Sequence, residues 1–584
     1  MMKENNQTVQ YVTKAVLAVM VIVSVFAGVT KIFTGFDIDE AYALAIPYRV
    51  LQGDRLFADM WEVHQTSFII PYLFMKLFYS VSGSMDGVVL YTRIVTTVLH
   101  LLVSYVVYRE LRQNYDRMER NVTAILALIY FNFLPKWMIN MDFSMQQLWF
   151  FTLFLVFFER SRRKNDSVFL MFMAGVMLAL DVLSYPGMVF VYVAAVFLLF
   201  IRKEKCWRMI GALTGGCAVS ALAFFMWLFT YMTPSELIEA VPKVFMDGSH
   251  QYDMMTKLGL YATQWFEVLI QSAVLLIPTL VVTLVILYFY QKSRFAGNFG
   301  PLSKGLLFCI VFEGMISVLI TCAGLVTTWG PFRLQVRYII QFVMAFVLYG
   351  QMKKEAEDKK KSEGVQMLLW FSLASFLGIL LASNVGPATS SSYLVIGNMV
   401  FCGLTLWLAR NRGKAMHIFA YVGVLTFLSS LLMCKGFYMR NTEYVPGDIS
   451  EPLAKVEEGP LAHIYVPKED FVRYTSDYET IQQYTSEEDY VLFMGTEGLS
   501  NLYAKGKIVI PTTISTPAFN EQWVDYFERE GQKQPTVIFI AKNTIDDRDK
   551  FFVKNVFGIW IAKRYDVECM EETDSLCILR LKRQ

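Results

Sequence analysis

The sequence predicts an α-helical polytopic membrane protein that carries a small α/β domain at its C-terminal end. Three observations lead there. Apolar runs of about 20 residues, the length that crosses a bilayer, recur from Val12 to Cys434. Only 18% of the 584 residues are charged, against 55% hydrophobic, where a soluble chain carries about 25% charged. From Lys435 onward charges, Pro and Gly return, and the apolar runs shorten to strand length. The net charge of +2 points to no nucleic-acid partner, because the basic residues fall in short clusters between the apolar runs.

The first run, near Lys14 to Phe33, is too long for a signal-peptide core, and no small-residue cleavage site follows it. It is expected to be retained as a span. The next apolar stretch, Thr66 to Val81, has 16 residues and contains Pro71 and Lys76. If it does not cross, thirteen spans are expected, near 12–33, 88–108, 122–140, 146–158, 168–183, 187–201, 209–231, 266–290, 306–328, 337–350, 365–383, 393–409 and 416–434. With a cytoplasmic N-terminus, the cytoplasmic side then holds 25 Lys and Arg and the outer loops hold 8. Letting 66–81 cross would invert every later loop, against the positive-inside rule. Residues 66–81 are therefore expected to lie at the outer interface as an amphipathic or re-entrant segment. The expected units are a transmembrane part, 1–434, with its first outer loop at 34–87, and a soluble outer domain, 435–584.

The first outer loop opens on Gly35-Phe36-Asp37-Ile38-Asp39-Glu40-Ala41-Tyr42, with three carboxylates within four residues. Asp37 and Glu40 have the spacing of a helix capping box. Asp39 is then surplus, either a solvated loop acid or a chemical group. Three further segments are expected on the same face: Asn140-Met141-Asp142, Ser184-Tyr185-Pro186-Gly187, and Trp329-Gly330-Pro331-Phe332-Arg333 leading to Arg337-Tyr338. A longer outer loop, 232–265, carries Lys243, His250, Asp253 and Lys257. Asp181 lies in or near an apolar run, where an acid is a functional candidate or pairs with a polar neighbour.

The eight cysteines contain no C-x-x-C and suggest no metal site. Those inside apolar runs read as packing residues, and Cys569 and Cys577 could pair across a C-terminal hairpin. Within 435–584, Asp489–Gly495 and Thr536–Ala541 read as buried strands. Glu521–Glu530 reads as a helix and Tyr565–Leu581 as a closing hairpin. No glycine-rich phosphate loop occurs there.

The order Asp39-Glu40-Ala41-Tyr42, Leu51-Gln52-Gly53-Asp54, Asp59-Met60-Trp61-Glu62, His64-Gln65 resembles the first outer loop of GT-C glycosyltransferases. The similarity is to the protein O-mannosyltransferase and aminoarabinose-transferase-like branch. Asp142 stands where that branch tends to have an Asp after its third span. Arg337-Tyr338 stands where an Arg-Tyr pair opens a later span. The resemblance covers roughly residues 12–345 and rests on order and topology. Gln65-Thr66-Ser67 departs from the family's Pro-Pro, and the Ser184-Tyr185-Pro186 turn lacks a Lys often found there.

The resemblance implies a GT-C-like fold and inverting transfer of a sugar from a polyprenyl-phosphate donor, without a cofactor or metal. The acceptor would be a glycan, lipid or protein at the outer face of a plasma membrane. Asp39 would be the base that takes the acceptor proton. Glu40 would cap its helix or position the acceptor, and Asp142 would join the acceptor site or cap the helix near Ser144. Arg337, with Tyr338, would meet the lipid phosphate or anchor at the interface. His64, Gln65 and Tyr185 would contact substrate. The sequons at Asn6, Asn121 and Asn165 all fall on the expected cytoplasmic side, compatible with a bacterial membrane. Two other readings are open. A transporter or flippase would be expected to show repeated halves and interrupted midplane helices, and neither is evident. A non-catalytic sensor would work through 435–584.

Overall fold

The computed structural model describes residues 2–114, 120–164, 166–202, 206–244, 254–292, 300–322, 329–355, 359–383, 385–410, 412–440, 446–448, 452–496, 498–513, 519–542 and 548–583. His250 and Asp253 lie outside the described residues, as do the side chains of Trp329 to Arg333.

A helix occupies the position of every expected span. The chain runs through α1 (Met2–Phe33), α2 (Ile38–Leu51), α3 (Ile69–Ser82), α4 (Val88–Asn114), α5 (Arg120–Asn132) and α6 (Phe143–Arg163). Then come α7 (Val168–Ser184), α8 (Val189–Arg202), α9 (Cys206–Leu228), α10 (Pro234–Val244) and α11 (Met254–Lys292). The last of this part are α12 (Pro301–Cys322), α13 (Trp329–Glu355), α14 (Lys359–Ala382), α15 (Pro387–Ser390), α16 (Val395–Arg410) and α17 (Lys414–Phe437). Among the described residues, eight helices are long and apolar enough to cross a membrane. Others at expected spans, such as α7 and α8, are apolar but shorter. The chain is thus a multi-pass membrane protein.

The helices share one buried core, in which two groups of contacts stand out. In one, α6 lies on α7 and α7 on α9. The α7–α9 crossing is close because both backbones are bare at the contact. A Cβ on Gly175 would sit 2.1 Å from the Leu213 carbonyl oxygen, and one on Gly216 would sit 2.1 Å from that of Phe172. Small residues at such crossings let helices approach in lipid, where packing rather than water drives association. In the other group, α12 lies on α17 and α13 on α16, with α1 against α17 and α5 against α1, α16 and α17.

One expected span is corrected by the structure. The run 122–140 is helical only as far as Asn132, at the end of α5. Pro135 disfavours helical geometry at Leu134, and residues 133–142 follow as irregular chain. Lys136 therefore leaves the helix. The next helix begins at Phe143 because Asp142 caps it, its Oδ1 accepting from the Met145 N–H at 2.8 Å.

Strands begin at Tyr438, directly after α17. Two short antiparallel pairs come first, β1 (Tyr438–Arg440) with β2 (Pro446–Asp448) and β3 (Leu453–Lys455) with β4 (Tyr465–Pro467). A five-stranded sheet follows, made of β5 (Tyr490–Met494), β6 (Lys507–Ile508), β7 (Val537–Ala541), β8 (Tyr565–Glu572) and β9 (Leu576–Arg583), in the order β6-β5-β7-β9-β8. Strands β6, β5 and β7 are parallel, and β8–β9 is the antiparallel hairpin. The fully apolar β7 is buried along its whole length, as expected of a strand covered on both faces. The helix α18 (Lys468–Tyr484) precedes the sheet. Its polar sequence gave no signal.

The core of this sheet is continuous with the loop between α1 and α4. Phe36, Ala41, Leu44, Trp61, Val63 and Met75 share one buried cluster with Val491, Phe493, Ile538 and Tyr526. Backbone bonds stitch the two together: Gly35 N–H to the Tyr465 carbonyl at 2.8 Å, Trp61 N–H to that of Pro511 at 2.7 Å, and Gly87 N–H to that of Gly459 at 2.9 Å. The loop that carries the acidic stretch is thus held from above by 438–583.

Candidate active site

Asp37 is the N-cap of α2. Its backbone is extended and its Oδ1 accepts from the Asp39 N–H at 2.8 Å. The capping box is only half made, because Glu40 turns elsewhere. Both its carboxylate oxygens meet Arg93 of α4, at 2.7 Å from Nε and 2.6 Å from Nη2. The remaining Arg93 donors reach the carbonyls of Ile32 (2.9 Å) and Gly35 (2.7 Å) at the C-terminal end of α1. One arginine thereby satisfies orphan carbonyls of a helix end, and Glu40 neutralises it. Both side chains are buried. Glu40 is a positioning residue that fixes α2 against α1 and α4. Glu40→Ala is expected to destabilise the protein by about 3–5 kcal/mol, because it strands a buried guanidinium. Thermal unfolding in detergent measures this; a normally stable Glu40→Ala protein without turnover would instead give Glu40 a chemical role.

Asp39, the surplus acid, meets a lysine. Its carboxylate is a quarter exposed and its Oδ2 stands 3.3 Å from Lys136 Nζ. The same ammonium is 3.3 Å from Asp142 Oδ2. Asp39 and Asp142, the latter expected either to join the acceptor site or to cap a helix, are thus brought to one cation that sequence reasoning placed inside a span. Pro135-Lys136 at the end of an apolar run was the available signal. Burial pushes the Asp142 carboxyl upward from its ordinary value, and Lys136 opposes that rise.

An aromatic wall completes the cluster. Lys136 Nζ lies 3.8 Å from the centre of the Phe143 ring. The His64 imidazole stacks on that ring at 3.6 Å and 5°. Two groups so close to one ring centre must take its opposite faces. Tyr185 stands 5.1 Å from His64 and 5.8 Å from Tyr393, whose hydroxyl meets Ser144 Oγ at 2.8 Å. His64 has φ 60, a left-handed backbone that costs energy in a non-glycine residue. The chain is held there from both sides. Gln65 is buried and its Oε1 accepts from the Phe57 N–H at 2.8 Å, while Ser67 Oγ donates to the His64 carbonyl at 2.8 Å. Gln65 therefore shapes the loop, whereas His64 and Tyr185 face the cluster.

Two residues upstream, Glu62 is fully buried. It pairs with the buried Arg49 at 3.3 Å and accepts from Thr512 Oγ1 at 2.9 Å and from the Thr513 N–H. Arg49 also holds Asp54 at 2.9 Å, and Asp54 reaches Lys533 at 3.1 Å. This network ties the His64 loop to the C-terminal domain.

Arg337 and Tyr338 stand apart from this cluster. Arg337 is fully buried, pairs with Glu313 of α12, donates to Ser430 Oγ of α17 at 2.7 Å and lies over the Phe427 ring. Gln341 Nε2 holds the other Glu313 oxygen at 2.7 Å. Tyr338 is buried against Phe133 and Phe427. The guanidinium is spent on holding α12, α13 and α17 together, so its placement does not support the expected phosphate contact. Asp181 is fully buried in α7, one turn before Tyr185, and among the described residues neither of its carboxyl oxygens has a hydrogen-bond partner.

Residues 67–229 match the family model described as dolichyl-phosphate-mannose-protein mannosyltransferase. Among solved structures, the chain is similar to the Archaeoglobus fulgidus oligosaccharyltransferase in complex with Zn and sulfate. The two are 13% identical, with 97% of this chain and 73% of that chain covered and a TM-score of 0.46. It is also similar to ArnT from Cupriavidus metallidurans in the apo state, 12% identical with 97% and 98% covered and a TM-score of 0.41. The same enzyme bound to undecaprenyl phosphate is 10% identical, with the same coverage and a TM-score of 0.40. A comparison with curated proteins gives no match.

Proposed function

We propose that this chain is a membrane glycosyltransferase of the GT-C type that moves a sugar from a polyprenyl-phosphate carrier to an acceptor hydroxyl or amine at the outer face of the membrane. The observation that carries the reading is the convergence of Asp39 and Asp142 on Lys136, beside the wall of His64, Phe143 and Tyr185. The description of the family model matched by residues 67–229 names a lipid-phosphate sugar, which supports this donor class.

The residues suit such a transfer. An acceptor hydroxyl is a poor nucleophile until its proton is taken. Asp39 is the more exposed carboxylate, and it acts as that base. Attack on the anomeric carbon from the side opposite the phosphate inverts the configuration. As the bond to the carrier breaks, negative charge grows on the lipid phosphate, and a preorganised cation lowers the barrier. Lys136 is the cation beside the carboxylates, and it takes the role expected of Arg337. Asp142, anchored as the cap of α6, orients Lys136 and the acceptor. The C-terminal domain holds the first loop and thereby the His64 wall.

Mass spectrometry of lipid-linked sugars and surface glycans, with and without the protein, tests the proposal. A polyprenyl-phosphate sugar is expected to accumulate, and one glycan modification to disappear, when the protein is absent. Unchanged pools of both would refute it.

A further inference from the structure

We propose that Cys569, Glu572 and Cys577 form a metal site on the edge hairpin of the C-terminal domain, selective for a thiolate-preferring divalent ion such as zinc. One donor atom from each residue lies within 4.8 Å of the other two. The hairpin itself brings them together. Glu572 pairs with Cys577 across the strands, and Cys569 pairs with Leu579. Residues three apart on a regular strand point to opposite faces, which would separate Cys569 from Glu572. A register shift between Cys569 and Glu571 cancels that alternation. Leu579 and Cys577 share a face, so the shift places Cys569, Glu572 and Cys577 on one side of the hairpin. Bulges that re-aim a side chain in this way are usually purposeful features.

The chemistry of the donors fits. Two thiolates and a carboxylate are a soft-to-borderline set that favours zinc over calcium or magnesium. A tetrahedral zinc ion with Zn–S bonds near 2.3 Å places its sulfurs about 3.8 Å apart. Closing the present cluster by about 1 Å would meet that, and Cys569 and Glu572 are exposed and able to rotate. Cys577 is buried on β9 and gives the site a fixed point. Binding releases the two thiol protons, and water fills the fourth position. Asp566, Glu568 and Glu571 on the same strand add negative charge. Lys542 Nζ, 3.8 Å from Glu572 Oε2, is the cation the metal displaces. The hairpin forms the sheet edge farthest from β6, four strand spacings or roughly 19 Å across. β6 is the strand bonded to the first loop, through Ile508 N–H and Gln52 Oε1 at 3.0 Å. The site therefore clips the outer edge of the domain and is separate from the transfer chemistry.

The test uses the full-length protein in detergent, stripped of metal and kept reduced, with Co²⁺ as the spectroscopic probe. One equivalent is expected to give a thiolate-to-cobalt charge-transfer band and tetrahedral visible bands, both removed by one equivalent of Zn²⁺. Cys569→Ser, at an exposed position that leaves folding intact, is expected to abolish the charge-transfer band or halve it. Glu572→Gln is expected to weaken Co²⁺ binding at least tenfold, and Cys206→Ser to leave it unchanged. Absence of the band in reduced, folded protein would overturn the proposal. So would an intact mass showing Cys569 and Cys577 joined as a disulfide after purification with zinc present.

Discussion

Asp39→Asn is expected to lower turnover by about 100- to 10,000-fold, the usual cost of losing a general base, while leaving donor binding near normal. Asn keeps the shape of Asp, and Asp39 is not the group that caps α2. Asp37 performs that task through the Asp39 backbone N–H, which the substitution retains. Folding is therefore expected to survive. A base acts in the transition state, so its loss falls on kcat more than on KM. Donor binding and single-turnover transfer in detergent separate the two. Near-wild-type turnover in Asp39→Asn would move the base to Asp142, the other carboxylate on Lys136.

Lys136→Met is expected to raise the apparent donor constant and to lower turnover, each by roughly 10- to 100-fold. That is the scale of losing a hydrogen bond to a charged group. Unlike the base, the cation meets a phosphate that is charged before and after transfer, so binding falls as well as rate. A shift in the pH profile comes with it. Burial already raises the Asp142 carboxyl, and Lys136 opposes the rise. Removing the ammonium raises it further, so Asp142 protonates at higher pH as the solution is acidified. The acid limb of turnover is then expected to move upward in Lys136→Met. A binding isotherm for polyprenyl phosphate and a pH–rate profile check both parts. Unchanged donor binding would remove Lys136 from the phosphate site.

Much of the fold was legible because it depends on local pattern. Long apolar runs marked the position of each expected span, and the runs Asp489–Gly495 and Thr536–Ala541 marked two neighbouring strands of the sheet. Asp39 stood out because, with Asp37 as the cap, the helix start left a further acid over. The rest was hidden where partners are far apart in sequence. Glu40 fits a capping box locally, but its partner Arg93 is 53 residues away. Arg337 looked interfacial because an apolar run begins there. Its partner Glu313 sits inside an earlier run, where the mean hydropathy conceals a single acid. Lys136 was absorbed into the span 122–140 in the same way, although Pro135 was the cue that the helix stops. The union of the first loop with the C-terminal sheet had no local sequence signature, since its partners, such as Glu62 and Thr512, are some 450 residues apart.

The central claim is that Asp39 takes part in transfer from a polyprenyl-phosphate sugar. Purified protein in lipid nanodiscs, supplied with such a donor and a membrane extract as acceptor source, gives the most direct measurement: free polyprenyl phosphate released over time. Wild-type protein is expected to release it in step with glycosylated product, and Asp39→Asn to release almost none. No release by the wild-type protein, together with movement of the intact donor across vesicles that contain it, would contradict the account and favour a flippase.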